Sequence, residues 1–337
     1  MQDRLLIIQT AFIGDAALTL PMIEKLKEQN PSSVIDVIAI PGTKEIFENS
    51  PFVDDILIFE KRGKHKSLSG MLAFVKEIRK QKYSKIYSPH RSFRTSLLVL
   101  LSGVKETYGF NTASMSFVYK NKIIYRPDYH EVRRDLEIIK YGTDENNWKI
   151  TPQIKQNEQA EKRIETLLEG IKGKLIAVAP GSVWETKKYP EGLFKELSGL
   201  LISSGFTVLL IGGAEDSGLC GNIAGSFGKG VYSFAGKLSL TESVFLLKKC
   251  SVLISNDSAP AHLGLMASVP VVDIYCSTAP GFGFYPYHLN SVFISYSGLS
   301  CKPCGIHGLR RCPIGTFDCA YKIEPGLIFD AVKQIAG

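Results

Sequence analysis

Leu175-Ile176-Ala177-Val178-Ala179 runs straight into Pro180-Gly181-Ser182-Val183-Trp184-Glu185-Thr186-Lys187-Lys188-Tyr189-Pro190, and residues 191–204 follow with helical spacing. A short unbroken apolar run reads as a strand buried on both faces. Strand, loop and helix in this order form the repeating piece of a parallel α/β sheet. The piece recurs downstream. Strands are expected at 207–211, 232–234, 252–255 and 271–275, and helices at 219–227, 240–250 and 259–266. It recurs upstream too. Strands are expected at 5–9, 34–40, 55–59 and 85–87. Helices are expected at 16–29, 44–49, 68–80 and 92–101. The first of these carries Leu20, Ile23 and Leu26 on one face, and Pro31 closes it. Between the two series the composition turns polar, with Asp144-Glu145-Asn146-Asn147 and Gln156-Asn157-Glu158. The reading is α/β throughout. One domain spans 1–155, a second spans 156–322 and opens with a helix over 158–170, and a terminal helix lies within 323–337.

The chain has 337 residues, which suits two domains. Its 30 glycines and 16 prolines are ordinary usage, so collagen-like and low-complexity classes are excluded. Mean hydropathy is +0.04, and no unbroken apolar run reaches the length of a membrane-spanning helix. The net charge of +7, with pI ≈ 8.9, asks for an anionic partner. Nucleic acid, an acidic membrane surface and a phosphorylated substrate all qualify. Arg4 followed by Leu5-Leu6-Ile7-Ile8 has the look of a leader, but Asp15 interrupts it, and a buried first strand explains it better. A cytoplasmic location with reduced thiols is the expectation.

Ligands of open α/β sheets bind beyond the carboxyl ends of strands. Four segments stand there or draw notice by composition. After the first strand comes Thr10-Ala11-Phe12-Ile13-Gly14-Asp15, in which Asp15 is either a helix cap or a functional carboxylate. No G-x-G-x-x-G is present, so a dinucleotide site is not supported. The 180–190 loop offers Gly181 and Ser182 beside Lys187, a set suited to a diphosphate. Ser255-Asn256-Asp257-Ser258-Ala259-Pro260-Ala261-His262 follows a buried strand and opens a helix, whose N-terminus can hold a phosphate. His262 reads as a core histidine. Cys301, Cys304, Cys312 and Cys319 crowd the C-terminal region and fit a structural zinc site, a pair of disulfides or reduced thiols. The basic runs 61–66 and 79–82 read as solvated surface, or as contacts to anionic lipid or a phosphorylated acceptor. Arg91 and Arg94 follow a strand and are candidates for the same role.

Taken together these motifs resemble glycosyltransferase family 9, the ADP-heptose:lipopolysaccharide heptosyltransferases. The carriers are Ile13-Gly14-Asp15, Ser92-Phe93-Arg94-Thr95-Ser96, His130-Glu131-Val132-Arg133, Ala179-Pro180-Gly181-Ser182 with Lys187-Lys188-Tyr189-Pro190, and 255–262. The resemblance covers nearly the whole chain. It implies a GT-B architecture of two Rossmann-like domains with parallel sheets facing across a cleft. The N-terminal domain would bind a lipid-linked oligosaccharide acceptor, and the C-terminal domain a nucleotide sugar, ADP-heptose. The last helix would pack back on the first domain. Asp15 matches the family's catalytic base. Ser182 and Lys187 match diphosphate contacts, and Asp257, Ser258 and Ala259 match the loop holding donor phosphate and sugar. Residues 212–216 lie where the nucleoside is contacted. Arg91 and Arg94 are expected on the acceptor. The implied reaction is inverting and needs no cofactor or catalytic metal. It takes place at the inner face of the cytoplasmic membrane, with peripheral attachment. Two alternatives stand beside it, a GT-B enzyme for another sugar nucleotide and a non-catalytic sugar-nucleotide or glycan binder. A nucleic-acid partner rests on charge alone and is not expected.

Overall fold

The computed structural model describes residues 3–288 and 290–337. The chain divides into two compact units, Met1–Lys155 and Gln156–Gly337.

In the first unit, strands β1 (Arg4–Ile8), β2 (Val34–Ala39), β3 (Asp55–Ile58), β4 (Lys85–Ser88), β5 (Glu106–Phe110) and β6 (Asn121–Ile123) form one sheet. Their order is β3-β2-β1-β4-β5-β6, and every pairing is parallel. Helices α1 (Ile13–Gln29), α2 (Lys44–Glu48), α3 (Leu68–Lys80), α4 (Phe93–Ser102) and α5 (Glu131–Ile138) accompany it. Leu5, Leu6, Ile7 and Ile8 are all fully buried, as a strand covered on both faces requires. α3 shows the complementary pattern. Met71, Phe74, Val75 and Ile78 make its buried stripe, and Ser67 caps it by accepting the Gly70 N–H at 3.1 Å.

The second unit repeats the plan. α6 (Glu158–Leu167) leads into β7 (Lys174–Ala179), α7 (Glu191–Ser203), β8 (Phe206–Leu210), α8 (Ser217–Ala224), β9 (Val231–Ser233), α9 (Leu240–Leu247), β10 (Val252–Asn256), α10 (Ala259–Met266), β11 (Val271–Tyr275), β12 (Val292–Ser295), α11 (Asp318–Tyr321) and α12 (Pro325–Ala336). The strand order is β12-β11-β10-β7-β8-β9, again all parallel. Counted from each unit's own first strand, both sheets read 3-2-1-4-5-6, the dinucleotide-fold order. The direction of winding therefore reverses between β1 and β4 in one unit, and between β7 and β10 in the other.

Four features depart from the sequence reading. β5, β6 and β12 are additional strands, and α5 and α11 additional helices. β5 holds Gly109 because the Tyr119 ring lies where a Cβ would be, 2.6 Å from Cε1. α1 starts at Ile13, three residues earlier than expected, so Gly14 and Asp15 lie in its first turn and not in a loop. The terminal helix corrects the expectation that it returns to the first domain. Ile328, Val332 and Ala336 of α12 are buried in the second unit's own core with Ile176, Val178 and Leu197. Tyr189 fastens the approach to this helix by donating to the Ile323 carbonyl at 2.5 Å.

Candidate active site

In the first unit the reversal point is occupied by an acid. β1 ends at Ile8, and the chain turns through Gln9 and Thr10 into α1. Asp15 accepts the N–H of Phe12, the residue before the helix, at 3.2 Å. The carboxylate thus does cap the helix, as the plainer reading had it. Its ionisation is nevertheless displaced. Burial, reinforced by the nearby charge of Glu131, pushes it up to about 6 against the opposing pull of its backbone hydrogen bonds and of Arg91. That value leaves it ionised above neutrality yet basic enough to take a proton.

Basic and neutral groups surround the same strand ends. Lys61 donates to the Thr10 carbonyl at 2.7 Å, and Arg94 donates to the Lys61 carbonyl at 2.6 Å. Burial lowers the Lys61 ammonium, and Arg62 and Arg94 lower it further, while Asp15 works the other way. His90, after β4, is pushed down to about 4 by burial and then by Lys61 and Arg91, so it is neutral at pH 7. Its Nδ1 lies 2.8 Å from Thr10 Oγ1 and 3.0 Å from Thr95 Oγ1. Arg91 lies over the Tyr125 ring, 4.0 Å from its centroid, with Nη1 3.3 Å from Thr112 Oγ1. Asp15, Arg91 and Arg94 are therefore brought into one electrostatic neighbourhood. Lys61 joins them. In sequence it sits within a basic run that looks solvated, although its position just beyond β3 follows the same strand-end rule. His65, from that run, is a core residue. It stacks on Phe59 at 5.5 Å between ring centroids and accepts the Glu60 N–H at 2.9 Å.

In the second unit the reversal point is occupied by a cation and by backbone. Asn256, the last residue of β10, ties down both ends of the loop after β7. Its amide donates to the Pro180 carbonyl at 2.8 Å and accepts the Tyr189 N–H at 2.9 Å. The loop so held delivers Lys187 to Asp257. Lys187 Nζ donates to the Asp257 carboxylate at 2.7 Å and to its carbonyl at 2.9 Å. An ammonium has three protons, so two are spent on Asp257 and one remains for a ligand. Thr278 donates to the same carboxylate at 2.6 Å. Ser258 precedes α10, and its hydroxyl donates to the Asn256 carbonyl at 3.2 Å. The structure brings Lys187, Asp257, Ser258 and Ala259 together at the start of α10. Ser182 lies in the adjoining loop, its Oγ accepting the Trp184 N–H at 3.4 Å. His262 is fully enclosed, burial pushes it down to about 4, and it is the neutral core histidine expected.

Two residues of this site were not legible in sequence. Asn256 has no distinct signal within its motif, and Thr278 lies outside every motif. Asp216, in the 212–216 segment expected at the nucleoside, has a packing role that the sequence does not show. Its carboxylate lies so close to Gly181 that a Cβ there would come within 2.1 Å of Oδ1, and Gly212 is in the same position at 2.6 Å from Oδ2. Both glycines are there because this acid occupies the space a side chain would need.

The four clustered cysteines border one small cavity, together with Lys302, Pro313 and Phe317. Cys312 sits in a turn whose amides, from Phe317, Ile314, Gly315 and Thr316, outweigh its burial and hold its thiol below the ordinary range. Among the described residues, however, no group of three or more His, Cys, Asp or Glu side chains is positioned to hold a metal ion. The structural zinc expected at Cys301, Cys304, Cys312 and Cys319 is not supported. All seven cysteines are free thiols. The segment instead docks on the loop after β7 and on the turn after β11, chiefly through backbone. Leu309 N–H donates to Thr186 Oγ1 at 2.7 Å, and Cys304 N–H to the Ser277 carbonyl at 2.8 Å.

The family model of glycosyltransferase family 9 (heptosyltransferase) matches residues 71–308. The chain belongs to glycosyltransferase family 9. It is 21% identical over 295 residues to lipopolysaccharide heptosyltransferase 2 of Escherichia coli (strain K12), covering 83% of this chain and 84% of the relative. Among solved structures it matches the family 9 glycosyl transferase from Veillonella parvula with TM-score 0.87 and 21% identity, over 100% of this chain and 98% of the other. It matches E. coli ADP-heptose lps heptosyltransferase II with TM-score 0.80 and 18% identity, over 100% and 98%. The fold is thus the GT-B fold of family 9, and the chain is a glycosyltransferase. Among the described residues no helix is long and apolar enough to cross a membrane.

Proposed function

We propose that this family 9 enzyme transfers a heptose from ADP-heptose to an inner-core acceptor of lipopolysaccharide, with inversion and without a catalytic metal. The observation that carries the reading is Asp15, a half-buried carboxylate at the reversal point of the first unit, raised to about 6 and flanked by Lys61, Arg91 and Arg94. In this reading the first unit takes the acceptor and the second takes the donor. Asp15 removes the proton of the acceptor hydroxyl as that oxygen attacks the anomeric carbon. Arg91, Arg94 and Lys61 meet acidic groups of the acceptor.

The leaving ADP gathers negative charge. Lys187, with one ammonium proton uncommitted, the Ser182 hydroxyl, and the first-turn amides of α10 after Ser258 and Ala259 are the groups suited to stabilise it. Asp257 fixes Lys187 in place. Its own charge is answered by that pairing and by Thr278. The relative's printed name supports the sugar and the acceptor.

Peripheral attachment to an anionic inner-membrane surface at the cytoplasmic face forms part of the proposal. Leu68 and Leu72 are 70% and 43% exposed one turn apart on α3, next to the basic run 61–66. That pairing of apolar and cationic groups suits an acidic lipid surface. The test is direct. Purified protein, ADP-heptose and a lipopolysaccharide acceptor lacking that heptose should give a product one heptose heavier, of inverted anomeric configuration, in the presence of a chelator. No product with ADP-heptose, but product with another sugar nucleotide, would move the enzyme elsewhere in the family.

A further inference from the structure

Thr19, one turn beyond Asp15 on α1, lies at the centre of a small buried network. Gln9 Nε2 is 2.9 Å from Thr19 Oγ1, Thr19 Oγ1 is 2.8 Å from the Asp15 carbonyl, and Asp135 Oδ2 of α5 is 2.9 Å from Thr19 Oγ1. The orientation of the Gln9 amide is fixed by its other end, since the Ala11 N–H needs the oxygen, at 3.2 Å. Gln9 is therefore a donor to Thr19. The Asp15 carbonyl can only accept. A hydroxyl owns a single proton and two lone pairs. Thr19 gives its proton to the Asp15 carbonyl and accepts from Gln9, and its remaining lone pair faces Asp135.

A carboxylate there would set two acceptor oxygens against each other with no proton between them. Giving the Thr19 proton to Asp135 merely moves the conflict to the Asp15 carbonyl, at 2.8 Å. The second carboxyl oxygen of Asp135 is buried with no hydrogen-bond partner. That arrangement is far less costly for a neutral C=O than for a charged oxygen.

We propose that Asp135 is held as a neutral carboxylic acid that donates its proton to Thr19 Oγ1, and that it acts through Thr19 as a positioning residue for the first turn of α1 and so for Asp15. Several charges bear on it. Complete burial weighs most against ionisation, Glu131 and Asp15 add to it, and the Thr19 hydroxyl and Arg134 pull the other way. Arg134 is itself engaged by Glu131 at 2.6 Å and by the Arg126 and Pro127 carbonyls. Arg91 and Lys61 act on Asp15 with the opposite sign. A neutral Asp135 leaves Asp15 one negative neighbour fewer, which keeps Asp15 able to ionise near neutrality.

The proposal rests on Asp15 being the base, but its first test does not. The infrared difference between wild type and Asp135→Asn at pH 8 should contain the carbonyl band of one un-ionised carboxyl group. Other buried acids, Asp273 included, cancel in the difference. The stability test follows from linkage. A carboxyl raised in the folded state binds a proton that the unfolded chain has released, so its presence costs stability as pH rises above the ordinary carboxyl value. Asp135→Asn should therefore raise Tm at pH 8, with a gain that shrinks toward pH 4. In turnover, Asp135→Ala should cut kcat about ten-fold or more by loosening the first turn of α1, and Asp135→Asn, which can still donate to Thr19, should recover most of the loss. No band in the difference, with a lower Tm for Asp135→Asn at pH 8, overturns the proposal. If band and Tm gain are found while Asp15→Asn turns over at the wild-type rate, the neutral acid stands and the reading of Asp15 as base falls.

Discussion

The two units share one topology and use it for opposite charges. Both sheets reverse their winding at the central strand pair, and both put a helix N-terminus there. The first unit sets an acid in that position and then raises it by burial and by a second acid, Glu131. The second sets a lysine there and clamps it on Asp257. A helix N-terminus favours negative charge in either case. In the first unit the protein's own Asp15 provides that charge. In the second, the position is suited to the phosphate of a ligand. In the proposed function, one fold would thus serve proton transfer in one unit and anion binding in the other through a few side chains at the two reversal points.

The sharpest way to break this comparison is to neutralise the acid. Asp15→Asn keeps the cap geometry and removes the base, so kcat should fall about 10²–10⁴-fold. The wild-type acid limb of kcat/KM, expected near pH 6 from the raised carboxyl, should vanish with it. A wild-type limb at the ordinary carboxyl value would contradict the burial argument. Next comes the cation. Lys187→Ala should cost about 10²-fold in kcat/KM, read with ADP-heptose under saturating acceptor. Gly181→Ala has a smaller effect, since the new methyl must displace the Asp216 carboxylate. About 1–3 kcal/mol of stability should be lost, measured by denaturant melts. The smallest effect concerns the membrane. Replacing Leu68 and Leu72 by Ser should lower partition onto anionic vesicles about ten-fold, with the solution rate on a delipidated acceptor retained.

The parts of the fold that position both sites were legible because they are buried. β1, β7 and β10 each carry a run of at least three fully or almost fully buried apolar residues, and both halves of the alternation could be read from them. The missed strands are short or peripheral. β6 has three residues, and β12 exposes Val292 and Phe293, so neither shows a buried run. At the sites, Asp15 and Lys187 could be picked out because each lies just past a strand. Asp135 could not. Its role depends on α1 packing against α5, which joins residues 116 positions apart. Lys61 was hidden for another reason. Its neighbours Arg62, Lys64 and Lys66 make the whole run look solvated, and only the hydrogen bond to Thr10 separates it from them. The cysteines are close together in sequence and in space, but among the described residues that proximity does not make them a metal site.

The division of labour between the units is tested most directly by titrating ADP into wild type, Asp15→Asn and Lys187→Ala. The account predicts wild-type ADP affinity for Asp15→Asn despite its lost turnover, and an affinity weakened about ten-fold or more for Lys187→Ala, as expected for removal of a charged contact to phosphate. Equal ADP affinity in wild type and Lys187→Ala, or weakened affinity in Asp15→Asn alone, would contradict it.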